Sequence, residues 1–263
     1  MKKLSVITIN YNNSAGLEKT IKSVINQDFD NIEYIVIDGA STDDSVKVIE
    51  KYADKITYWV SEPDSGVYNA MNKGIKAANG EYVTFINSGD ILLQDIDFNK
   101  AIAHIEGEDI IYFDLEIRNE DNTDAYIKTY SDHPDFYYFA TDSLPHAGAF
   151  IKREQLVQYG YYNEDFKIVS DWAFFMDSIL KNNATFKHVN ESYVIFFTNG
   201  ISSLPESQKL IHKERSKHIE FSFPAYYKIY TEWYSNMLEL YKIKTSFSVK
   251  LLKKVGFLKW LKL

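Results

Sequence analysis

Short apolar runs alternate with segments of helical periodicity through the first third of the chain. Each run is brief and ends in polar residues, which predicts buried strands at 4–9, 32–37, 56–60 and 82–86. Between the runs, apolar residues recur every three or four positions, as expected of helices buried on one face. Strands and helices in this alternation predict a parallel sheet wound in βαβ units.

The helices of this region carry recognisable start and stop signals. Ser14 is the expected N-cap of the first helix, and Asn79-Gly80 is expected to end the helix that precedes the strand at 82–86. That helix has one apolar face, which is formed by Val67, Ala70, Met71, Gly74, Ile75 and Ala78. The following strand ends abruptly in the polar loop Asn87-Ser88-Gly89-Asp90. In open α/β sheets, ligands bind at such carboxyl ends of strands.

The pattern continues less regularly to about residue 204. A helix around Ile102 and Ile105 precedes a strand at 110–113, and the acidic segment 114–130 is expected to form a solvated hairpin. Further strands are predicted after Pro145 and at 192–197. The apolar helical stripe from Trp172 to Leu180 is interpreted as core. Beyond Pro205, long helical segments replace the alternation, so the chain is divided into 1–204 and a helical extension, 205–263.

Composition and charge narrow the function classes. The 263 residues include no Cys, which excludes thiolate catalysis and thiolate metal sites. The last acid is Glu239, and seven lysines follow it; without those charges the net charge of −8 becomes −15. An acidic body argues against nucleic acid as a partner. Since we find neither a signal peptide nor a spanning segment, we expect a cytoplasmic protein, with peripheral contact to the inner face of the membrane as an open alternative.

Polar residues follow three of the predicted strands, at Asn10-Tyr11, at 38–43 and at 88–90. In a parallel sheet these strand ends lie side by side along one edge. Good turn-forming residues would explain one such loop, but three together favour a ligand site. The first strand is followed by neither a Gly-rich dinucleotide motif nor a phosphate-binding lysine loop.

Four motifs carry a family resemblance: Thr8-Ile9-Asn10-Tyr11-Asn12, Val36-Ile37-Asp38-Gly39-Ala40-Ser41-Thr42-Asp43, Glu62-Pro63-Asp64-Ser65-Gly66-Val67-Tyr68-Asn69-Ala70-Met71-Asn72-Lys73-Gly74 and Asn87-Ser88-Gly89-Asp90. Their order resembles that of the family 2 glycosyltransferases, above all the bacterial branch that builds polysaccharides. The likeness covers residues 4–90 and continues more weakly to about residue 203. It implies a GT-A fold, which is Rossmann-like, with a mostly parallel central sheet flanked by helices. Residues 1–90 would form the nucleotide-sugar half and 91–204 the acceptor half, followed by the helical C-terminal extension.

The resemblance also implies a reaction and a donor site. A sugar would move with inversion from a nucleotide-diphosphate sugar, with a UDP-sugar favoured, to a saccharide or a lipid-linked saccharide. Asp38 and Asp64 would accept hydrogen bonds from the base and ribose, and Tyr11 would flank the base. Lys73 could approach the diphosphate, with an exposed helix lysine as the alternative. The remaining residues expected at the donor site are Thr8, Asn10, Ser88, Gly89 and His146, of which His146 could equally be structural.

A divalent metal, Mn²⁺ or Mg²⁺, is expected because a departing diphosphate needs its charge neutralised and hard oxygen ligands suit these ions. The family has an Asp-x-Asp type motif where this chain has Asn87-Ser88-Gly89-Asp90. Asp90 is therefore the sole carboxylate assigned to the metal, and diphosphate oxygens and water would supply most other ligands.

Asp171, in Val169-Ser170-Asp171-Trp172, matches the acid that opens a helix after the metal loop and serves the family as catalytic base. A carboxylate there could take the proton of the acceptor hydroxyl. The competing interpretation is that Asp171 only favours the positive end of a helix dipole. Glu164 and Asp165 are the nearest alternative acids.

Two other functions stay open at this stage. A non-catalytic nucleotide-sugar binding module would be favoured if the base were out of reach of the donor. A nucleotidyltransferase on a similar sheet would require a Gly-rich, basic loop after the first strand, where this chain has Asn10-Tyr11-Asn12-Asn13. The Lys-rich tail 247–263 could lie on an anionic membrane, or it could pack on the catalytic body or on a second subunit of a homodimer.

Overall fold

The computed structural model describes residues 3–28, 31–94, 98–119, 123–198 and 200–246, with positions 249 and 254. Contacts within the chain divide it into two compact units, Met1–Ile211 and His212–Leu263. The sequence pattern placed the corresponding change of character at 204/205. The tail 247–263, apart from two positions, lies outside the described residues.

The first unit begins with alternating strands and helices. Its elements up to the loop 87–90 are β1 (Leu4–Asn10), α1 (Ser14–Ile25), β2 (Ile32–Asp38), α2 (Ser45–Lys51), β3 (Tyr58–Ser61), α3 (Val67–Ala77) and β4 (Tyr82–Phe85). The remaining elements are β5 (Ile91–Leu92), α4 (Phe98–Ala103), β6 (Ile110–Phe113), β7 (Leu115–Arg118), β8 (Ala125–Lys128), α5 (Phe136–Thr141), β9 (Ala149–Lys152), α6 (Arg153–Gln158), α7 (Ser170–Leu180), β10 (Phe186–Val189) and β11 (Val194–Phe197).

The described strands form two sheets. A seven-stranded sheet has the order β10-β6-β9-β4-β1-β2-β3, and a four-stranded sheet has the order β5-β11-β7-β8. In the larger sheet β9 runs antiparallel to β4 and β6, and the other pairs are parallel. The prediction of a mostly parallel central sheet flanked by helices is confirmed.

Because helices cover both faces of the large sheet, β1 and β2 are buried on both sides. Leu17, Ile21 and Val24 of α1 share one apolar cluster with alternate residues of β1. On the other face, Gly74 lets α3 approach closely, since a Cβ there would lie 2.6 Å from Cγ2 of Ile7. Burying each such Val, Leu or Ile side chain stabilises the fold by about 1.5–3 kcal/mol.

Several local predictions differ from the structure. The N-cap of α1 is Asn13, whose Oδ1 accepts the Gly16 N–H at 3.1 Å, and Ser14 is the first helical residue. The third strand begins at Tyr58, two residues later than predicted. The hairpin expected in 114–130 is present, as the antiparallel pair β7 and β8. The α7 stripe is core, as predicted: Trp172, Phe175 and Met176 are buried.

The second unit contains most of α8 (Gln208–Ser222) and all of α9 (Pro224–Thr245). Within it, the His212 ring stacks on that of Tyr234 with centroids 3.3 Å apart, and Tyr230 is buried beside them. No helix among the described residues combines the length and apolar character needed to cross a membrane.

Candidate active site

The polar ends of three neighbouring strands meet at one edge of the large sheet. The last residues of β1 and β2, Asn10 and Asp38, are paired in register. The loop after β4 joins them there, because the Ser88 N–H donates to the Ile9 carbonyl at 3.1 Å. The structure therefore brings together the loops that the sequence identified, and it does so at the carboxyl ends of parallel strands, where such sheets bind ligands.

The innermost polar residues of this edge bond to one another. Asp38 is fully buried, and its carboxylate accepts hydrogen bonds from Asn10 Nδ2 (2.8 Å), Ser61 Oγ (2.6 Å) and both the N–H and the hydroxyl of Ser41 (2.9 and 2.6 Å). Burial acts to raise the pKa of Asp38, but the bonds from Ser41, Ser61 and Asn10 outweigh it and the net pKa is lowered.

Thr8 lies deeper still. Its hydroxyl donates to the Ile86 carbonyl at 2.7 Å and lies 3.0 Å from the Tyr34 hydroxyl.

Four hydrogen bonds fill the acceptor capacity of a carboxylate such as Asp38. Thr8, Asn10 and Asp38 therefore support the loops above them, and a nucleotide could reach Asp38 only if one of its present bonds opened.

Tyr11, Gly39 and Asp64 form the accessible part of the edge. The Tyr11 ring is 67% exposed, and Asp64 is half-buried with Oδ1 accepting the Gly66 N–H at 2.9 Å. A Cβ on Gly39 would lie 2.4 Å from Asp64 Oδ2 and 3.3 Å from Tyr11 Cδ2. An aromatic ring and a carboxylate thus flank a bare stretch of backbone, which suits stacking on a base and hydrogen bonding to its polar atoms.

Lys73 is held away from this surface. Its ammonium group donates to the Pro63 carbonyl and pairs with Glu62, both at 2.8 Å. These bonds attach the loop that carries Asp64 to α3. The structure thus gives Lys73 a role in fixing the loop, and reaching a diphosphate would require the ammonium to leave Glu62.

The loop 87–90 is fixed to α1 by its backbone. The Thr20 hydroxyl donates to the Asp90 carbonyl at 2.7 Å and accepts the Gly89 N–H at 3.0 Å. Ser88 exchanges hydrogen bonds with Asn13, through its carbonyl at 3.2 Å and its hydroxyl at 3.3 Å. Gly89 has a φ of +113°, a conformation that side chains rarely adopt, so the sharp turn requires glycine.

Asp90 is the acidic group of this loop, and it is 6% exposed. Its Oδ1 accepts the Phe197 N–H at 3.1 Å, and Oδ2 has no hydrogen-bond partner among the described residues. Burial raises the pKa of Asp90 to about 7, which the Phe197 bond only partly opposes. A divalent cation would compensate this desolvated carboxylate. The described residues contain no group of three or more His, Asp or Glu side chains that could hold a metal by themselves. A metal at Asp90 would therefore need substrate and water oxygens as its other ligands.

Asp171 lies in the first turn of α7, in the part of the chain assigned to the acceptor. Its Oδ1 accepts a 2.7 Å hydrogen bond from the hydroxyl of Tyr68, a residue of α3. The helix itself is anchored at the next residue, where the Trp172 indole N–H donates to the Phe139 carbonyl at 2.8 Å. Asp171 is partly exposed, and the Tyr68 bond fixes one oxygen of its carboxylate.

The alternative acids have other environments. Glu164 accepts hydrogen bonds from the amides of Asn72 and Asn69, both at 2.8 Å, and these bonds lower its pKa. It therefore serves to join its segment to α3. Asp165 is exposed. Of the three acids, Asp171 is the one whose carboxylate is fixed by the buried Tyr68 hydroxyl while the residue stays partly exposed.

His146 is packed among aromatic rings. It stacks on Phe85 with centroids 4.7 Å apart, and its Nε2 lies 3.0 Å from the Tyr162 hydroxyl. Burial lowers its pKa, and the charge of Asp171 opposes that effect. His146 is thus a neutral, partly buried ring between the end of β4 and α7, and its contacts match the structural alternative as well as a binding role.

Sequence alone did not identify Tyr68, Ser41 and Ser61 as residues of this region. Ser41 and Ser61 lie within or beside the recognised motifs, and their hydroxyls fix Asp38. Tyr68 lies inside the third motif, and the available signal was that it is the one aromatic residue of this helix and carries a polar hydroxyl.

Comparison with solved structures supports the fold. Staphylococcus aureus TarS (residues 1–349) in complex with UDP-GlcNAc matches with a TM-score of 0.64 and 22% identity, over 83% of this chain and 67% of that one. The mannosyltransferase PcManGT from Pyrobaculum calidifontis, in complex with GDP-Man and Mn²⁺, matches with a TM-score of 0.59 and 16% identity, over 97% of this chain and 79% of that one. At these identities the likeness establishes the GT-A architecture.

Sequence comparison establishes the family. An uncharacterized glycosyltransferase of Mycobacterium tuberculosis is 32% identical over 181 residues, which are 67% of this chain and 69% of the relative. The GalNAc(5)-diNAcBac-PP-undecaprenol beta-1,3-glucosyltransferase of Campylobacter jejuni is 38% identical over 121 residues, which are 42% of this chain and 39% of that enzyme. The profile of Glycosyl transferase family 2 matches residues 5–179. Together with the GT-A sheet and the motifs at its edge, these matches show that the chain is a glycosyltransferase and belongs to family 2.

Proposed function

We propose that this glycosyltransferase transfers a sugar, with inversion, from a nucleotide-diphosphate sugar to a saccharide or lipid-linked saccharide, and that Asp171 is its catalytic base. The observation that carries the proposal is the Asp171 carboxylate. One of its oxygens is fixed by Tyr68 at 2.7 Å, and the other has no hydrogen-bond partner among the described residues. An oriented carboxylate with a free oxygen at the surface of the acceptor half can receive a proton from an acceptor hydroxyl.

In the proposed reaction, Asp171 takes the proton of the acceptor hydroxyl while the hydroxyl oxygen forms a bond to the anomeric carbon of the donor. The bond from that carbon to the diphosphate oxygen breaks, and the nucleoside diphosphate leaves with the electron pair. Attack on the face opposite the leaving group inverts the anomeric configuration. Positioning both reactants can contribute as much as proton transfer, which typically gives ~10²–10⁴-fold.

The donor would bind along the strand ends. Tyr11, Gly39 and Asp64 form the proposed nucleoside contact, because they are the accessible members of that edge. Asp90 would hold Mn²⁺ or Mg²⁺, which when bound neutralises charge on the diphosphate. A UDP-sugar is the proposed donor, and the UDP-GlcNAc complex of TarS supports this choice.

The proposal also includes a lipid-linked acceptor and attachment of the protein to a membrane surface. The Campylobacter relative is named for an undecaprenol-linked substrate. In the second unit, α9 exposes an apolar series, Ile229, Met237, Leu238, Leu240, Tyr241 and Ile243, and no acid follows Glu239. Apolar residues interspersed with lysines favour attachment to an anionic membrane surface. Pairing of the same surface with a second copy of the chain is the alternative.

The test of the proposed base is Asp171→Asn, with Asp165→Asn as a matched control that removes a neighbouring exposed acid. Purified protein is assayed against a panel of nucleotide sugars with saccharide acceptors, and released nucleoside diphosphate is measured. We expect Asp171→Asn to lower transfer by about 10²–10⁴-fold, with UDP affinity unchanged in calorimetry. The control variant should keep normal rates.

Each other outcome has a definite meaning. A normal transfer rate for Asp171→Asn would refute the assignment of the base. Loss of UDP affinity together with rate would show that Asp171 is structural. Absence of turnover by the native protein with every nucleotide sugar, despite UDP binding, would favour the non-catalytic binding module.

A further inference from the structure

The polar residues of α3 bind the segment that leads into α7. Asn69 and Asn72 donate to the carboxylate of Glu164, both at 2.8 Å. Asn72 also exchanges two hydrogen bonds with the backbone of Tyr162, at 2.9 and 3.0 Å. Tyr68, one turn before Asn72, donates to Asp171. One face of this helix therefore fixes the position of the chain from Tyr162 to Asp171, although the motif itself resembles the donor half.

Tyr68 is well suited to act on a carboxylate. Its side chain is 4% exposed, and its ring lies 5.7 Å from that of Tyr162, so the phenol has little freedom to turn away. Burial and then the charge of Asp171 hold the pKa of Tyr68 well above its usual value. The hydroxyl therefore stays protonated at physiological pH and remains a donor to Asp171.

Three titratable groups face Asp171 from the elements packed around it. They are Tyr68 on α3, Tyr162 in the segment before α7, and His146 in the segment before β9; all three respond to its charge. Burial holds Tyr162 protonated and His146 neutral at physiological pH. Of these three groups, only Tyr68 makes a hydrogen bond to the Asp171 side chain.

We propose that Tyr68 is a positioning residue for the transfer reaction: its hydroxyl holds Asp171 Oδ1 and so directs Oδ2 toward the acceptor. This inference rests on the proposed role of Asp171 as base. Tyr68 thereby keeps the base oriented, without touching substrate itself.

The test is Tyr68→Phe, which removes the hydroxyl and retains the ring. We expect kcat to fall about tenfold, because a neutral donor to a charged acceptor contributes on that scale, while UDP affinity and the donor KM stay within about twofold. A loss confined to kcat is the result expected of a residue that orients the base without touching substrate.

Tyr82→Phe is the matched control. Tyr82 is also buried, and its hydroxyl donates over the same 2.7 Å distance, but to the Glu108 carbonyl, at the amino ends of the strands and away from the candidate site. It should lower the melting temperature about as much as Tyr68→Phe and leave kcat at its native value. A stability effect common to both variants is thus separated from an effect on the base.

The outcomes separate this inference from the function on which it rests. If Asp171→Asn is fully active in the same assay, the proposed base is wrong. If Asp171→Asn is inactive while Tyr68→Phe has native kcat, only the positioning role is overturned. A fall in kcat that Tyr82→Phe shares with Tyr68→Phe would equally overturn it, since that result indicates packing alone.

Discussion

Replacing Gly39 by Ala tests where the nucleotide binds. The added Cβ would lie 2.4 Å from Asp64 Oδ2 and 3.2 Å from Asp64 Cγ, both well inside contact distance. The Asp64 carboxylate is the end of a short side chain and can rotate away, so the fold should survive. The rotation would break the bond between Asp64 Oδ1 and the Gly66 N–H, with a loss of up to about 1.5–3 kcal/mol of folding free energy, the range for a hydrogen bond to a charged group.

Donor binding should be weakened by a similar amount. If Asp64 accepts a hydrogen bond from the nucleoside, displacing its carboxylate removes a charged interaction of about 1.5–3 kcal/mol. The Kd for UDP should therefore rise about tenfold to a hundredfold. Isothermal titration calorimetry with UDP measures the change in affinity directly, and thermal melting reports the change in stability.

A double-mutant cycle makes the reasoning refutable. Asp64→Ala removes the atoms that clash with a Cβ at position 39, and the remaining contact, with Tyr11 at 3.3 Å, involves an exposed ring that can move. Gly39→Ala should therefore have little further effect in the Asp64→Ala background. If Gly39→Ala leaves UDP affinity unchanged in the native background, the nucleoside does not bind at Tyr11, Gly39 and Asp64. If the two substitutions are additive, Gly39 acts by some route other than Asp64.

Three further predictions concern Asp90 and the tail. Asp90→Asn should abolish metal-dependent donor turnover while the fold survives; native turnover in excess chelator would contradict this. Because burial raises the pKa of Asp90 from 3.8 to about 7, the folded chain retains a proton that the unfolded chain releases. The free energy of unfolding should therefore fall as pH rises through that window without metal, and melting curves of Asp90→Asn should show a weaker fall. The full chain should float with anionic liposomes, and a chain ending near Glu239 should not; equal behaviour would indicate a packing or dimer surface.

The elements that sequence predicted well are those whose signal is local. Strands β1, β2 and β4 are short apolar runs bounded by polar residues, and the structure has them within one or two residues of the predicted ends. Elements that sequence missed depend on distant partners. Helix α5 has six residues, too few for a periodic signal, and it is fixed by the Asp135 cap and by the Trp172 indole bond to its Phe139 carbonyl. Strand β5 has two residues and exists because it pairs with β11.

The site shows the same division. Motifs at strand ends predicted which loops meet, because register along a parallel sheet places successive carboxyl ends at one edge. They did not predict which side chains those loops would leave free. Asp38 and Lys73 are residue types that often bind ligands. In the structure, however, four hydrogen-bond donors saturate the Asp38 carboxylate. The Lys73 ammonium group is held by Glu62 and by a backbone carbonyl. Whether a polar side chain is available to a ligand depends on partners that the local pattern does not contain.

Helix α3 illustrates why the contacts between residues 1–90 and residues 91–204 could not be predicted from the sequence. Its apolar residues mark one buried face, against β1 and β2, and periodicity finds that face correctly. Tyr68 and Asn72 belong to a second buried face, but a pattern method counts polar residues as exposed. Their partners, Asp171 and Tyr162, lie 103 and 90 residues further along the chain. These polar groups can be buried only because each is hydrogen-bonded to a distant residue. The local sequence around α3 does not contain those partners, so it cannot predict the second buried face.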